Sequence, residues 1–213
     1  MAPSGLRPKD ASTLILLDGD LARPSVLMGR RSAAHAFMPR LYVFPGGRVD
    51  AADGRAPASG QLRPADQRRL IDGLGTRATV RRARAIALAA MRETHEETGY
   101  RLAGDEALPD LAPLRYVARA ITPPGRTRRY DTRFFAARLS DFASRERMAA
   151  PTDELEDLRW VPLDRAEELN VPMITAFILR DLQARLASDA TLQGDPTIPF
   201  YRNRNGTVVR DEH

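Results

Sequence analysis

The chain has 213 residues, 43% of them hydrophobic and 29% charged, with a formal charge of +5 and no cysteine. That length and balance suit one globular domain with a sizeable core and exclude disulfides and thiol catalysis. No run of 18 apolar residues is present, so no membrane span is expected, and the first ten residues lack the apolar stretch of a secretion signal, which points to a cytoplasmic protein.

The cations are nearly all arginine, Lys9 being the only lysine, and they are scattered along the chain. Scattered guanidinium forks suit phosphate oxygens, whereas a nucleic-acid partner would call for a continuous basic stripe. In chain order, residues 13–17 and 25–29 read as short apolar strands, with Asp18-Gly-Asp20 as turn chemistry between them. Leu41-Tyr-Val-Phe44 is a third strand, stopped by Pro45-Gly46-Gly47. From about 49 to 78 the periodicity fades, which marks an insertion with room for a short helix over 64–74. Residues 79–98 form the strongest helix, rich in Ala, Leu, Arg and Glu, with Gly99 as its stop. Strands follow at 114–121, 132–139 and 158–161. An amphipathic helix spans 173–186 behind Pro172. The tail, 188–213, carries an Asn205-Gly206 hairpin signal. This order of elements fits a single α/β domain, a mixed sheet flanked by helices, spanning 1–213.

Around the chief helix at 100° per residue, Glu96 lies about 300° and Glu97 about 40° from Glu93, so three carboxylates share an arc of roughly 100°. Met91, Thr94, Thr98 and Ala87 point the other way, toward a core. Like charges at these spacings cost a few tenths of a kcal/mol per pair, and a divalent cation reverses that sign because it needs several hard oxygen ligands. An ordinary solvated acidic face, paired with Arg92 and Arg101, is the alternative on the triad alone.

The segment Arg92-Glu-Thr-His-Glu-Glu-Thr-Gly-Tyr100, with the upstream Phe44-Pro-Gly-Gly47, resembles the Nudix box, G-x5-E-x7-R-E-U-x-E-E-x-G-U with U aliphatic. Five fixed residues match by chance on the order of once per million positions. The resemblance implies a Nudix-like α/β/α sandwich and a metal-dependent diphosphatase using Mg²⁺ or Mn²⁺. By the same resemblance Glu93, Glu96 and Glu97 are metal ligands, Glu93 also a candidate for activating water, with the Gly46 carbonyl completing the cage and Arg92 orienting the carboxylates. It covers roughly 13–186 and leaves the tail outside. Three departures stand out: some 31 residues are inserted between Gly47 and Arg92, Arg84 stands eight before Arg92 where the box expects glutamate, and Thr94 replaces an aliphatic residue. His95 fills a variable position and reads as structural.

An interrupted box is similar to the coenzyme A diphosphatase branch of the family, as are Arg129-Tyr-Asp-Thr-Arg-Phe-Phe135 and Met38-Pro-Arg-Leu-Tyr-Val-Phe-Pro-Gly-Gly47. That implies coenzyme A or acyl-coenzyme A as substrate, a small nucleoside diphosphate derivative. The resemblance also implies a further carboxylate from the loop before the tryptophan strand, Glu154 first and Glu156 second, as general base or extra metal ligand; a solvated acidic loop is the alternative. Arg126, Arg128 and Arg129 follow a Pro-Pro-Gly turn and either grip phosphate or form a basic loop without that role. Of Phe134 and Phe135, one is expected to face the core and the other outward, where Phe134 would meet substrate. The tail hairpin could add an edge to a second subunit in a homodimer. Two rival readings are a Nudix-fold sensor that binds a nucleotide without cutting it, and a Nudix pyrophosphatase acting on ADP-ribose, NADH or RNA caps.

Overall fold

The computed structural model describes residues 6–20, 22–32, 40–104, 107–148, 152 and 154–212. Met38 and Pro39 of the motif above, and Pro151 and Asp153 of the acidic loop, lie outside the described residues. In chain order the elements are β1 Lys9–Asp18, β2 Ser25–Arg31, β3 Tyr42–Val43, β4 Gly46–Arg48, α1 Pro64–Asp72, α2 Val80–Thr98 and β5 Tyr100–Ala103. Then come β6 Arg115–Ile121, β7 Tyr130–Arg138, β8 Ser144–Arg147, β9 Leu155–Pro162, α3 Met173–Ser188, β10 Pro199–Arg204 and β11 Thr207–Glu212.

Both faces of β1 are covered, which is why it reads as an unbroken apolar run rather than an alternating one. Leu14 and Leu16 join Ile86, Ala87, Ala90 and Met91 of α2 in one core. Ile15 and Leu17 join Ile178, Leu179, Leu182 and Leu186 of α3 in the other. The expected α/β/α sandwich is therefore present, around a mixed sheet ordered β11-β10-β6-β7-β1-β2-β3. Among the described residues no helix is long and apolar enough to cross a membrane.

The outer edge of β1 is forked. Near its end, Leu17 and Asp18 pair with β2, while Ala11, Ser12 and Thr13 pair with Arg48, Gly47 and Gly46 of β4. Pro45-Gly46-Gly47, read from sequence as the end of a strand, thus enters a second short strand over the middle of the sheet. Helix α2 is set over this fork. Thr79 caps it by accepting from the Arg82 N–H, and Gly99, in the left-handed region at φ 76°, closes it with an N–H to the His95 carbonyl. The buried Thr94 hydroxyl, in place of an aliphatic side chain, donates to the Ala90 carbonyl at 2.7 Å, so the departure leaves no buried donor unmet.

The tail is no appendage. Phe200 and Tyr201 of β10 run parallel to Arg119 and Ala120 of β6, and β11 folds back at the predicted turn, with Asn205 at φ 52° and Gly206 at φ 88°. The hairpin extends this chain's own sheet.

The Arg129–Phe135 motif lies along β7, and its alternate residues build a charged network beneath the α2 side of the sheet. Asp131 takes both ends of Arg119 at 2.8 Å, Arg133 reaches Asp10 at 2.9 Å and Asp131 at 3.1 Å, and all four residues are buried. Arg77 and Arg82 close on Asp10 from the solvent side.

Candidate active site

The loop–helix pair rests on two close approaches that only glycine allows. A Cβ at Gly46 would stand 2.4 Å from Thr13 Oγ1 and 2.5 Å from the Ser12 carbonyl. A Cβ at Gly47 would stand 2.4 Å from the carboxylate carbon of Glu93. The loop backbone therefore lies directly against the acidic side of α2, and the Gly46 N–H donates to Glu97 Oε2 at 2.8 Å.

The three box glutamates are unequally buried: Glu97 is 3% exposed, the Glu93 side chain 15% and the Glu96 side chain 37%. Burial pushes the Glu97 carboxyl up to about 8; the Gly46 N–H and Arg31 pull it down, and Glu93 and Glu154 push it up again. Glu93 is raised as well, first by burial, against the pull of Arg92, with Glu96 and Glu154 adding repulsion. Four carboxylates, Glu93, Glu96, Glu97 and Glu154, thus act on one another beside Gly46-Gly47.

Arg92 orients this set without facing the cavity. Its Nη1 donates to Glu93 at 2.9 Å and Glu96 at 3.0 Å, and its Nη2 donates to the Arg48 carbonyl at 2.9 Å. Nε and Nη2 grip Asp53 at 2.9 and 3.2 Å. Burial alone would lower its pKa, and Asp53 with Glu93 more than reverses that.

Asp53 is the residue that reading the sequence missed. It lies six positions after Gly47, which is where G-x5-E places its acid, with aspartate standing for glutamate. Counting back from Arg92 lands on Arg84; counting forward from Gly47 would have found it. Counted forward, an acid stands where the box pattern expects one, and it is the acid that Arg92 grips. Asp53 is 3% exposed and also accepts the Asp50 N–H at 2.7 Å, so a tight turn locks it before the inserted helix begins.

A cavity of about 820 Å³ opens beside this cluster, within the range that holds a whole small-molecule ligand. Glu93, Glu154, Gly46 and Gly47 line one part of it, together with Arg31, Arg126 and Arg128. Arg129 is not on its wall: its guanidinium donates to the carbonyls of Thr122 at 3.0 Å and Leu6 at 2.8 Å, so it braces the loop that presents Arg126. Glu156 stands on β9 paired with Arg30 at 3.4 Å, away from the carboxylate set. Phe134 and Phe135 point to opposite faces as expected, but neither faces solvent, because both faces of the sheet are covered. Phe135 is in the α2-side core, and Phe134, 8% exposed, lines the cavity from the α3 side.

Among the described residues no three Asp, Glu or His side chains are drawn together tightly enough to cage an ion as they stand. Arg92 and the Gly46 N–H hold the box carboxylates instead. The donor set nevertheless fits a divalent cation: all hard oxygens, two of them on carboxylates whose ionisation burial opposes.

The family model for the NUDIX domain matches residues 79–181, beginning at the cap of α2 just past the insertion. A Nudix hydrolase from Alicyclobacillus acidocaldarius shares the fold at a TM-score of 0.63 and 24% identity, over 90% of this chain and 98% of that one. The Nudix domain of Shewanella oneidensis NrtR, solved with ADP-ribose, does so at 0.52 and 12%, over 86% and 91%. RenU, a Nudix hydrolase from M. smegmatis, does so at 0.50 and 18%, over 89% and 94%. No curated protein sequence matches the chain. Residues 79–181 thus match the NUDIX-domain model, and the solved Nudix structures share the fold of nearly the whole chain.

Proposed function

We propose that this chain hydrolyses the diphosphate linkage of a nucleoside diphosphate derivative, with coenzyme A or acyl-coenzyme A as the substrate class, in the presence of Mg²⁺ or Mn²⁺. The observation that carries the reading is the convergence of Glu93, Glu96, Glu97 and Glu154 on the Gly46-Gly47 loop at the edge of a large cavity. Glu93, Glu96, Glu97 and the Gly46 carbonyl would hold a divalent cation, which when bound would supply neutralising charge and Lewis acidity.

The chain's own residues do the rest. Arg92, itself held by Asp53, fixes Glu93 and Glu96, and the Gly46 N–H fixes Glu97, so all three are kept beside the same loop. Arg126 and Arg128 face the cavity with positive charge where phosphate would lie. Water attacks one phosphorus in line; its oxygen forms the new P–O bond while the bond to the bridging oxygen breaks, and a phosphomonoester leaves. Glu154, with Glu93 as the alternative, takes the proton, a contribution of about 10²–10⁴ in rate. The interrupted box and the Arg129–Phe135 motif support the coenzyme A assignment; the ADP-ribose bound to the NrtR domain supports ADP-ribose as a second candidate.

The test is a hydrolysis panel with Mg²⁺ and Mn²⁺ over coenzyme A, acetyl-coenzyme A, ADP-ribose, NADH and nucleoside triphosphates, with products identified by mass and Glu97→Gln as control. Adenosine 3′,5′-bisphosphate released only with metal and intact Glu97 is the expected result. AMP and ribose 5-phosphate would keep the diphosphatase and move the substrate to ADP-ribose. Turnover by folded Glu97→Gln near the wild-type rate would overturn the ligand assignment.

A further inference from the structure

The floor of the cavity can be traced residue by residue across the sheet. Gly46 of β4 is paired with Thr13 of β1, and Thr13 with Phe134 of β7. Thr132, two residues before Phe134 on the same face, is paired with Ala120 of β6, and Ala120 with Tyr201 of β10. All of these residues line the one cavity. From β4 to β10 is four strand spacings, roughly 19 Å.

The two ends differ in chemistry. At β4 stand Glu93 and Glu154. At β10 the wall is Tyr201, stacked on Phe177 of α3 at 5.7 Å between ring centroids, with Ile174 and Val208 beside the same core and Arg202 and Asn203 at its polar rim. Val208 faces Asn203 across the hairpin, so β11 closes the far side. Burial and a bond to Asp181 hold the Tyr201 hydroxyl protonated, leaving its ring as a neutral surface. A nucleoside attached to a diphosphate at the carboxylate end is too short to use this wall, whereas an extended arm with an aliphatic end reaches it.

We propose that the C-terminal hairpin and the first turns of α3 form a distal apolar subsite for an aliphatic group carried on a long arm of the substrate, with Phe177, Tyr201, Ile174 and Val208 as its specificity-determining residues. The inference rests on the diphosphatase reading for the position of the diphosphate, and its test does not need turnover. The full-length protein, in chelator so that nothing is cleaved, is saturated with the fluorescent probe 1-anilinonaphthalene-8-sulfonate, which is then displaced by octanoyl-coenzyme A, coenzyme A or octanoate. Octanoyl-coenzyme A is expected to displace the probe at a concentration at least tenfold below coenzyme A. Val208→Thr, on an edge strand, and Ile174→Thr, on the helix, are each expected to reduce that ratio at least threefold while the protein still unfolds in one cooperative transition. No probe binding, equal displacement by the two coenzyme A forms, or an advantage that neither substitution reduces would overturn the subsite. Failure of the diphosphatase reading would appear separately, as no diphosphate cleavage by the folded protein across the hydrolysis panel with either metal.

Discussion

Two buried charged clusters lie within this fold, and they are compensated in opposite ways. Beneath the α2 side of the sheet, Asp10 and Asp131 are each met by more than one guanidinium, from Arg77, Arg82, Arg119 and Arg133. Beside the Gly46-Gly47 loop, four carboxylates act on one another, and the most buried, Glu97, is hydrogen-bonded to one backbone N–H. The first cluster sets two carboxylates among four guanidiniums and ties strands, helix and the loop before it together. The second holds a surplus of carboxylates next to a cavity, which suits a divalent cation and is what a purely structural network avoids.

The largest expected effect comes from breaking the first cluster. Asp131→Asn strands Arg119 in the interior, leaves Arg133 with Asp10 alone, and should cost about 3–5 kcal/mol, lowering the melting temperature by roughly 10 °C, while turnover per folded molecule stays within about twofold. A large loss of turnover at unchanged stability would mean that this network belongs to the site. Glu93→Gln should do the reverse, reducing turnover at least 10²-fold on the order expected for an acid–base group, with thermal unfolding unchanged or shifted upward. Asp53→Asn should fall between them. With Arg92 held less firmly, the Mg²⁺ concentration for half-maximal activity should rise about 10–100-fold, and Mn²⁺ binding followed by paramagnetic resonance should weaken in parallel. Unchanged metal affinity would reduce Asp53 to a loop brace.

The smallest effect sharpens the contrast through pH. Glu97 has an ordinary value of 4.5 unfolded and about 8 folded, so between those values the folded state binds the extra proton. Stability of the metal-free protein should therefore fall as pH rises from about 5 to 8. Glu97→Gln should flatten that slope, and added Mg²⁺ should oppose it. A slope that persists in the variant would place the titration elsewhere.

Much of this was legible in the chain. The α2 helix, its Thr79 and Gly99 ends and its acidic arc follow from local spacing, because helix geometry places residues three and four apart on one face whatever the rest of the molecule does. The Asn205-Gly206 turn was equally local. Asp53 was half legible: the residue sits at its proper count from Gly47, but an insertion of unknown position makes the count ambiguous, and only the bidentate contact with Arg92 resolves it.

Other features required the tertiary structure. Arg129 and Arg126 look alike in a Pro-Pro-Gly loop, and only packing shows one bound to backbone carbonyls and the other on the cavity wall. Phe134 and Phe135 alternate as any strand does, yet whether the second face meets water or a helix depends on an element some 40 residues later.

Sequence by itself determined the helix, the arc of carboxylates on it and the glycine turn upstream, since each depends on spacing within a few residues. Only the tertiary structure decided that Asp10 and Asp131 are neutralised while Glu97 is not, and that the tail hairpin closes the far end of the cavity. Charge balance and cavity shape arise from strands distant in sequence, and the pairing of β10 with β6 and of β1 with β7 is set by the packing of the whole sheet.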